Sequence, residues 1–387
     1  MYPRLLKIDA SSSQSAFLFG PRGTGKTFWL RQHFSDATFI DLLHSEIFTR
    51  LVANPAKLQS MLPTPPSHWI VIDEVQKVPE LLNEVHRLIE HEGYRFVLTG
   101  SSARSLRRKG VNLLAGRALS YHMHPLTAEE MGDHFSLKSA LQAGLLPNAQ
   151  TISDPKHYLE TYVSTYLREE VLQEGLMRQL GDFTRFLETA SFSQGSVINM
   201  SAIAREAAID RKIISSYFSI VVDLLIGCML PVFTKRAKRR MVAHPKFYFF
   251  DAGVYRTIRP MGPLDSPQEA EGPGLETIVF QHLRAINDYY RLGFTCYYWR
   301  TSSDVEVDFV LYGEKGLFAF EVKRKRRYDH QDLKGLKSFA KDYPMAKLFL
   351  LYGGDEQFYE DNIQVLPVNK ALKNLHVILA DSSLPRA

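Results

Sequence analysis

Two cysteines, Cys228 and Cys296, are all that this 387-residue chain contains. They are too few for a disulfide framework or a cysteine-built zinc site, and they predict a reducing, cytoplasmic setting. No run of about 18 apolar residues occurs, so no membrane-spanning helix is expected. The nearest candidate, residues 219–233, is interrupted by Asp223 and Pro231. The opening MYPRLLKIDA has no apolar core and predicts no secretion signal. Internal repeats and long low-complexity tracts are missing as well. His122 and His124 share one face of a predicted strand, but no third ligand accompanies them to make a metal signature.

What is present is an ordinary globular composition, 45% hydrophobic and 23% charged. The length predicts about two to four domains. Net charge is only +5, yet the basic residues clump as RSLRRK (104–109), KRAKRR (235–240) and KRKRR (323–327). One such run is ordinary solvated surface; three together suit a polyanion partner such as DNA.

The first 130 residues alternate strand-like and helix-like patterns, the signature of an α/β layer. Strands are predicted at 16–19, 38–42, 69–73, 96–98 and 119–123, with helices after Gly25, near Val78 and at Thr127. A domain at 1–140 follows. Residues 141–258 then read as a helical linker and a winged helix. Within them, two helices flank a turn near Ile209 and Asp210, with Ser201 as the expected cap, and two apolar strands flank the basic run. Residues 259–274, RPMGPLDSPQEAEGPG, are rich in Pro and Gly and read as a linker. The last domain, 275–387, opens on a helix and turns strand-rich.

GPRGTGKT, residues 20–27, follows a strand and opens a helix, the context a phosphate-binding loop requires. Gly20, Pro21, Arg22, Gly23, Thr24 and Gly25 would let backbone N–H groups close on phosphate oxygens at the positive end of the helix. Lys26 would reach the β and γ phosphates of ATP, and the Thr27 hydroxyl would ligate magnesium. WIVIDEVQ, residues 69–76, supplies a second motif: Asp73 for the metal and Glu74 to polarise the attacking water. FVLTGSS offers Thr99 or Ser101 as a γ-phosphate sensor. Arg117, in LLAGRA, is the expected charge-neutralising arginine, with Arg107 and Arg108 as competitors; acting across a subunit boundary, it would require an oligomer.

With GPRGTGKT, VIDEVQKVPELLNEV, LTGSSARSL and LLAGRA, residues 15–130 resemble a bacterial and archaeal branch of the AAA-type P-loop ATPases. YLETYVSTYLREEV, KFYFFDAGVYR, GLETIVFQHL and YYWRTSSDVEVDFVL extend the likeness to the C-terminal domain of unknown function usually fused to that ATPase. The resemblance implies a P-loop parallel-sheet domain, then a winged-helix region, then an α/β domain similar to restriction endonucleases of the PD-(D/E)xK type. It also implies ATP and Mg2+ as cofactors, and a homo-oligomer such as a ring.

The terminal VEVDFVLYGEKGLFAFEVK supports a reading of its own. A tight turn at Glu314 and Lys315 would set Asp308 opposite Glu321 on one face, with Lys323 beside it. Facing carboxylates call for a cation, so magnesium held by Asp308, Glu321 and Glu276, with Lys323 stabilising phosphate charge, is one expectation. Lys323 simply neutralising Glu321 is the other. For the whole chain, the leading expectation is an ATPase that acts on DNA by remodelling, translocation or processing, with a magnesium-dependent nuclease site. The alternative is an ATP-switched module that docks a protein partner and carries an inactive nuclease-like domain. A small-molecule kinase would leave the winged helix and the last domain without a role.

Overall fold

The computed structural model describes residues 2–66, 68–101, 114–167, 169, 172, 180–237, 241–242, 244–263 and 265–380. Two compact units emerge: one from residues 4–124 and 223–226, the other from the first three residues, 125–222 and the chain from 227 onward.

In the first unit, strands β1 (Ser15–Phe19), β2 (Thr38–Asp41), β3 (Trp69–Asp73), β4 (Arg95–Gly100) and β5 (Ala118–His122) form one sheet in the order β2-β3-β4-β1-β5. Every adjacent pair is parallel. β1 and β3 are buried along their whole length, as their unbroken apolar text requires of strands covered on both faces. The helix Leu81–Glu92 turns Leu81, Val85 and Leu88 into the core beside Ile70, Phe96 and Leu98. Since all strands run one way, the segments after β1, β3 and β4 leave from the same edge of the sheet.

The second unit begins with short helices. Met200–Ala207 and Arg211–Asp223 are joined by a turn in which Ala208 takes a left-handed φ of 55°. Asn199, not the expected Ser201, caps the first of these: its side-chain oxygen accepts the Ala202 N–H at 3.0 Å. Strands β6 (Gly227–Leu230) and β7 (Lys246–Phe249) pair antiparallel behind them. Lys235 and Arg236 are exposed between these strands, while Lys238, Arg239 and Arg240 lie outside the described residues.

The helix Pro267–Tyr289 corrects the expected linker at 259–274, since half of that stretch is helical. Pro267 stands at the helix start, where no N–H is needed, and Ala270 and Leu275 are buried. Composition misled because proline at a first turn is compatible with a helix, and this helix also tolerates Pro273 in its interior. Strands β8 (Thr295–Arg300), β9 (Glu306–Gly313), β10 (Gly316–Lys323), β11 (Lys347–Tyr352), β12 (Phe358–Glu360) and β13 (Ile363–Pro367) complete the unit as a six-stranded mixed sheet in the order β12-β13-β11-β10-β9-β8. β9 and β10 form a hairpin with Phe309 opposite Phe320, the register that a turn at Glu314 and Lys315 dictates.

Candidate functional site

The loop after β1 is shaped by what its glycines avoid. A Cβ on Gly20 would stand 2.4 Å from the Met123 carbonyl oxygen. Gly23 and Gly25 take φ of 83° and 91°, the left-handed region that side chains resist. Thr24 is buried, and its hydroxyl donates to the Pro21 carbonyl at 2.8 Å. The Lys26 ammonium donates to the carbonyls of Gly20 at 2.7 Å and Pro21 at 3.2 Å, so it lies inside the loop. Arg22 is half-buried on the rim.

At the end of β3 the polar side chains converge. Thr27 donates to Asp73 Oδ2 at 2.6 Å, and the buried Thr99 hydroxyl donates to Asp73 Oδ1. The same Thr99 oxygen accepts the Glu74 N–H at 3.0 Å. Glu74 itself adopts a φ of 61°, a conformation that costs a non-glycine residue about 1 kcal/mol or more and turns its side chain off the strand direction. Gln76 donates to the Glu74 carboxylate and to Ser101 Oγ, the latter at 3.1 Å. Thr27, Asp73, Glu74, Thr99 and Ser101 are therefore brought together beside the loop.

Two contributors escaped the sequence reading. Gln76 orients Glu74, and its position two residues after a strand-end acid was the available signal. Arg4 donates to the carbonyls of Thr24 at 2.7 Å and His124 at 2.6 Å, pinning the loop from outside. Nothing in its local sequence marks it.

Arg117 is not part of this constellation within the chain. It directly precedes β5, and Ala118 pairs with Ser15 at the start of β1, whereas the loop follows the end of β1. The two lie at opposite edges of the sheet, separated by about 16 Å of strand. There Arg117 is ion-paired with Glu90. Arg107 and Arg108 lie outside the described residues.

The terminal carboxylates are close neighbours. Among the described residues, no three Asp, Glu, His or Cys side chains stand together as a ligand set. Asp308 Oδ2 accepts the Val322 N–H at 2.8 Å, Glu321 Oε1 accepts from Lys323 at 2.6 Å, and Glu276 Oε2 accepts from the Tyr248 hydroxyl at 2.8 Å. Buried Lys246, which the sequence reading passed over, is ion-paired with Glu306 and stands 4.0 Å from Asp308 Oδ1. Of the expected magnesium set Glu276, Asp308 and Glu321, each carboxyl group has one oxygen on a protein donor, while Glu321 Oε2 is buried without a hydrogen-bond partner.

Protonation follows from this crowding. Burial, then the charge of Asp308, pushes Glu276 up to about 7, while Lys246 and Tyr248 oppose the rise. Burial and Asp308 likewise raise Glu321 well above the carboxylate range, against the pull of Lys323. Burial disfavours charge on Lys323, but Glu321 and Asp308 outweigh it and raise its pKa. Lys246 is raised for the same reason by Asp308, Glu276 and Glu306.

Comparison with known proteins divides the chain in three. Residues 12–132 match the family described as AAA domain, residues 135–265 a domain of unknown function (DUF8612), and residues 271–371 another domain of unknown function (DUF4143). The chain thus carries an AAA-type P-loop ATPase domain followed by a DUF4143 C-terminal domain. An uncharacterized Mycobacterium tuberculosis protein is 26% identical over 92% of this chain and 80% of its own length. An uncharacterized Methanocaldococcus jannaschii protein is 22% identical over 92% of this chain and 86% of its own. Among solved structures, the Aeropyrum pernix ORC1 protein in complex with DNA is 14% identical, covering 63% of this chain and 86% of that one, with a TM-score of 0.27. A score that low establishes no common fold.

Proposed function

We propose that the first unit binds ATP with magnesium and hydrolyses it, and that this turnover drives an action on DNA by the second unit. One observation carries the reading: the bond chain Thr27–Asp73–Thr99–Glu74 at the edge where the phosphate-type loop emerges. Backbone N–H groups of residues 21–27 and the Lys26 ammonium suit a triphosphate. Thr27 and Asp73 are the hard oxygen donors that would hold magnesium, and their existing contact places both at one point. When bound, the metal neutralises phosphate charge. Glu74 takes the proton of the attacking water; Gln76 holds its carboxylate and leaves one oxygen for that task. Of the two expected sensors, Ser101 would meet the terminal phosphate, while buried Thr99 acts through Asp73 and Glu74. Arg117, out of reach within its own chain, serves the site of another copy, so the active form is a homo-oligomer, in keeping with a ring.

DNA is the partner that the exposed cations favour. Arg211 and Lys212 open the second helix of the pair, and Lys235 and Arg236 project between β6 and β7. The cytoplasm is the setting assigned.

The test measures nucleotide binding and ATP turnover for wild type, Lys26→Ala and Glu74→Gln, with and without duplex DNA. Lys26→Ala should abolish saturable binding. Glu74→Gln should bind normally while turnover falls by about 10²- to 10⁴-fold. DNA should stimulate wild type, less so as salt rises. Unimpaired turnover in Glu74→Gln removes the base, and turnover indifferent to DNA leaves the ATP-switched, protein-docking alternative.

A further inference from the structure

Lysine is seldom fully buried, and when it is, its charge must be met. Lys246 is 2% exposed at the start of β7, a strand buried throughout. Its ammonium is ion-paired with Glu306, stands 4.0 Å from Asp308 Oδ1, and lies over the Tyr298 ring at 5.4 Å. Two residues on, and therefore on the same face of the strand, Tyr248 donates to Glu276. One short strand thus supplies donors to two carboxyl groups, Glu306 and Glu276, and sets a cation 4.0 Å from a third, Asp308.

The rest of the cluster is closed in the same manner. Glu321 is held by Lys323 at 2.6 Å and the outer oxygen of Glu306 by Arg300 at 3.2 Å, while Asp308 Oδ2 takes a backbone N–H. Three fixed cations, Lys246, Arg300 and Lys323, stand among four carboxyl groups, Glu276, Glu306, Asp308 and Glu321. A divalent ion needs about six oxygen ligands directed at one point. Here each of these acids has a protein donor, and Glu321 Oε2, buried with no hydrogen-bond partner, is one open oxygen where a divalent ion needs several.

We infer that Lys246 is the resident cation of this cluster: it excludes divalent metal from Asp308 and Glu321 and fastens the β6–β7 sheet to the C-terminal sheet. The segments at 135–265 and 271–371 match separate families, yet they fold into one compact unit, and Lys246 and Tyr248 of the first meet the acids of the second. The terminal domain then acts as an anchoring domain and not as a metal nuclease. This conclusion is independent of ATP turnover.

Mn2+ serves as the probe, followed by electron paramagnetic resonance on nucleotide-free full-length protein. Wild type and Asp308→Asn should bind the same number of ions, because no site depends on Asp308. Lys246→Met, which leaves Glu306 and Asp308 uncompensated, should gain one Mn2+ site that Lys246→Met/Asp308→Asn lacks, and its unfolding midpoint should rise when Mn2+ is added. Lys246→Arg should behave as wild type. An Asp308-dependent Mn2+ site in wild type would overturn the inference, as would a Lys246→Met protein of undiminished stability and no new site. Should Lys246→Met fail to fold, wild type against Asp308→Asn still decides the metal, and stable Lys246→Arg supports the charge role.

Discussion

Thr99→Val removes one hydroxyl from the first unit and keeps the side chain's shape. The consequence is larger than the change, because that oxygen is fully buried and makes two bonds. It donates to the Asp73 carboxylate, a charged partner worth about 1.5–3 kcal/mol, and accepts the Glu74 N–H, a neutral one worth about 0.5–1.5 kcal/mol. Valine leaves the Glu74 N–H without its acceptor just where the chain is already in the left-handed region. The expected loss is about 2–4 kcal/mol. At roughly 4 °C per kcal/mol for a domain of roughly 120 residues, the thermal midpoint of the first unit should fall by about 8–16 °C.

Function separates this from a merely structural defect. Thr99 acts through Asp73 and Glu74, so nucleotide affinity, dominated by the loop and Lys26, should persist at a temperature where the variant is folded. Turnover should drop, since the base is released from its position. Thr99→Ser restores the hydroxyl and should recover most of both losses, short of the missing methyl. Calorimetry and steady-state ATP hydrolysis on the three proteins check this. A Thr99→Val protein with wild-type midpoint and turnover would refute the bond chain as the organiser of the site.

Other outcomes follow from the second unit and from the loops. Gly144→Ala should be severely destabilising, because φ is +68° and the new Cβ would stand 1.9 Å from Asp251 Oδ1 and 2.6 Å from the Gly253 nitrogen. Gly93→Ala, with a φ of +73° but nothing within 4 Å, should cost only about 1–2 kcal/mol, and equal losses in urea unfolding would disprove the steric account. His282 is buried between the Ala128 N–H, which it accepts at 2.8 Å, and the Ile278 carbonyl, and burial holds its pKa down at about 4 against 6.5 for an ordinary imidazole. The unfolded chain therefore takes up the proton first, and stability present above pH 6.5 drains as pH falls towards 4, by roughly 3 kcal/mol. Asp251, raised to about 6 by burial, works with the opposite sign: its contribution is present below 3.8 and is lost as pH rises through 6. Comparing wild type with His282→Gln cancels the Asp251 effect, so the stability gap between them should narrow from pH 7 to pH 4.5; a constant gap would contradict the neutral, buried ring.

How much of this was legible beforehand depends on how local each interaction is. The loop, the strand-end acids and the β9–β10 register were readable because each needs only neighbouring residues: a glycine spacing, an apolar run closing in Asp73 and Glu74, a two-residue turn. Lys246 was not readable, for its partners lie 60 and 62 positions away on another sheet, and KFYFF announces only a strand. Nor was Arg4, which touches a carbonyl at residue 124.

Arg117 shows the same limit from the other side. Its motif suggested a catalytic arginine, and no one-dimensional pattern says which end of a strand it will occupy. Topology decides. β5 lies beside β1 and parallel to it, with Ala118 level with Ser15, so a residue just before β5 is at the edge where β1 begins and not where the phosphate loop departs. Neither a rotamer change nor loss of the Glu90 pair can carry the guanidinium across about 16 Å of sheet. The transition-state charge at this site must then be met from within the chain, by Lys26 and magnesium or by the competitors Arg107 and Arg108, which lie outside the described residues, or by an arginine from a second copy. Turnover per chain separates the two: independent of protein concentration with a self-sufficient copy, and rising with concentration if a neighbour completes the site. In the second case Arg117→Ala chains mixed with Glu74→Gln chains should recover activity that neither has alone.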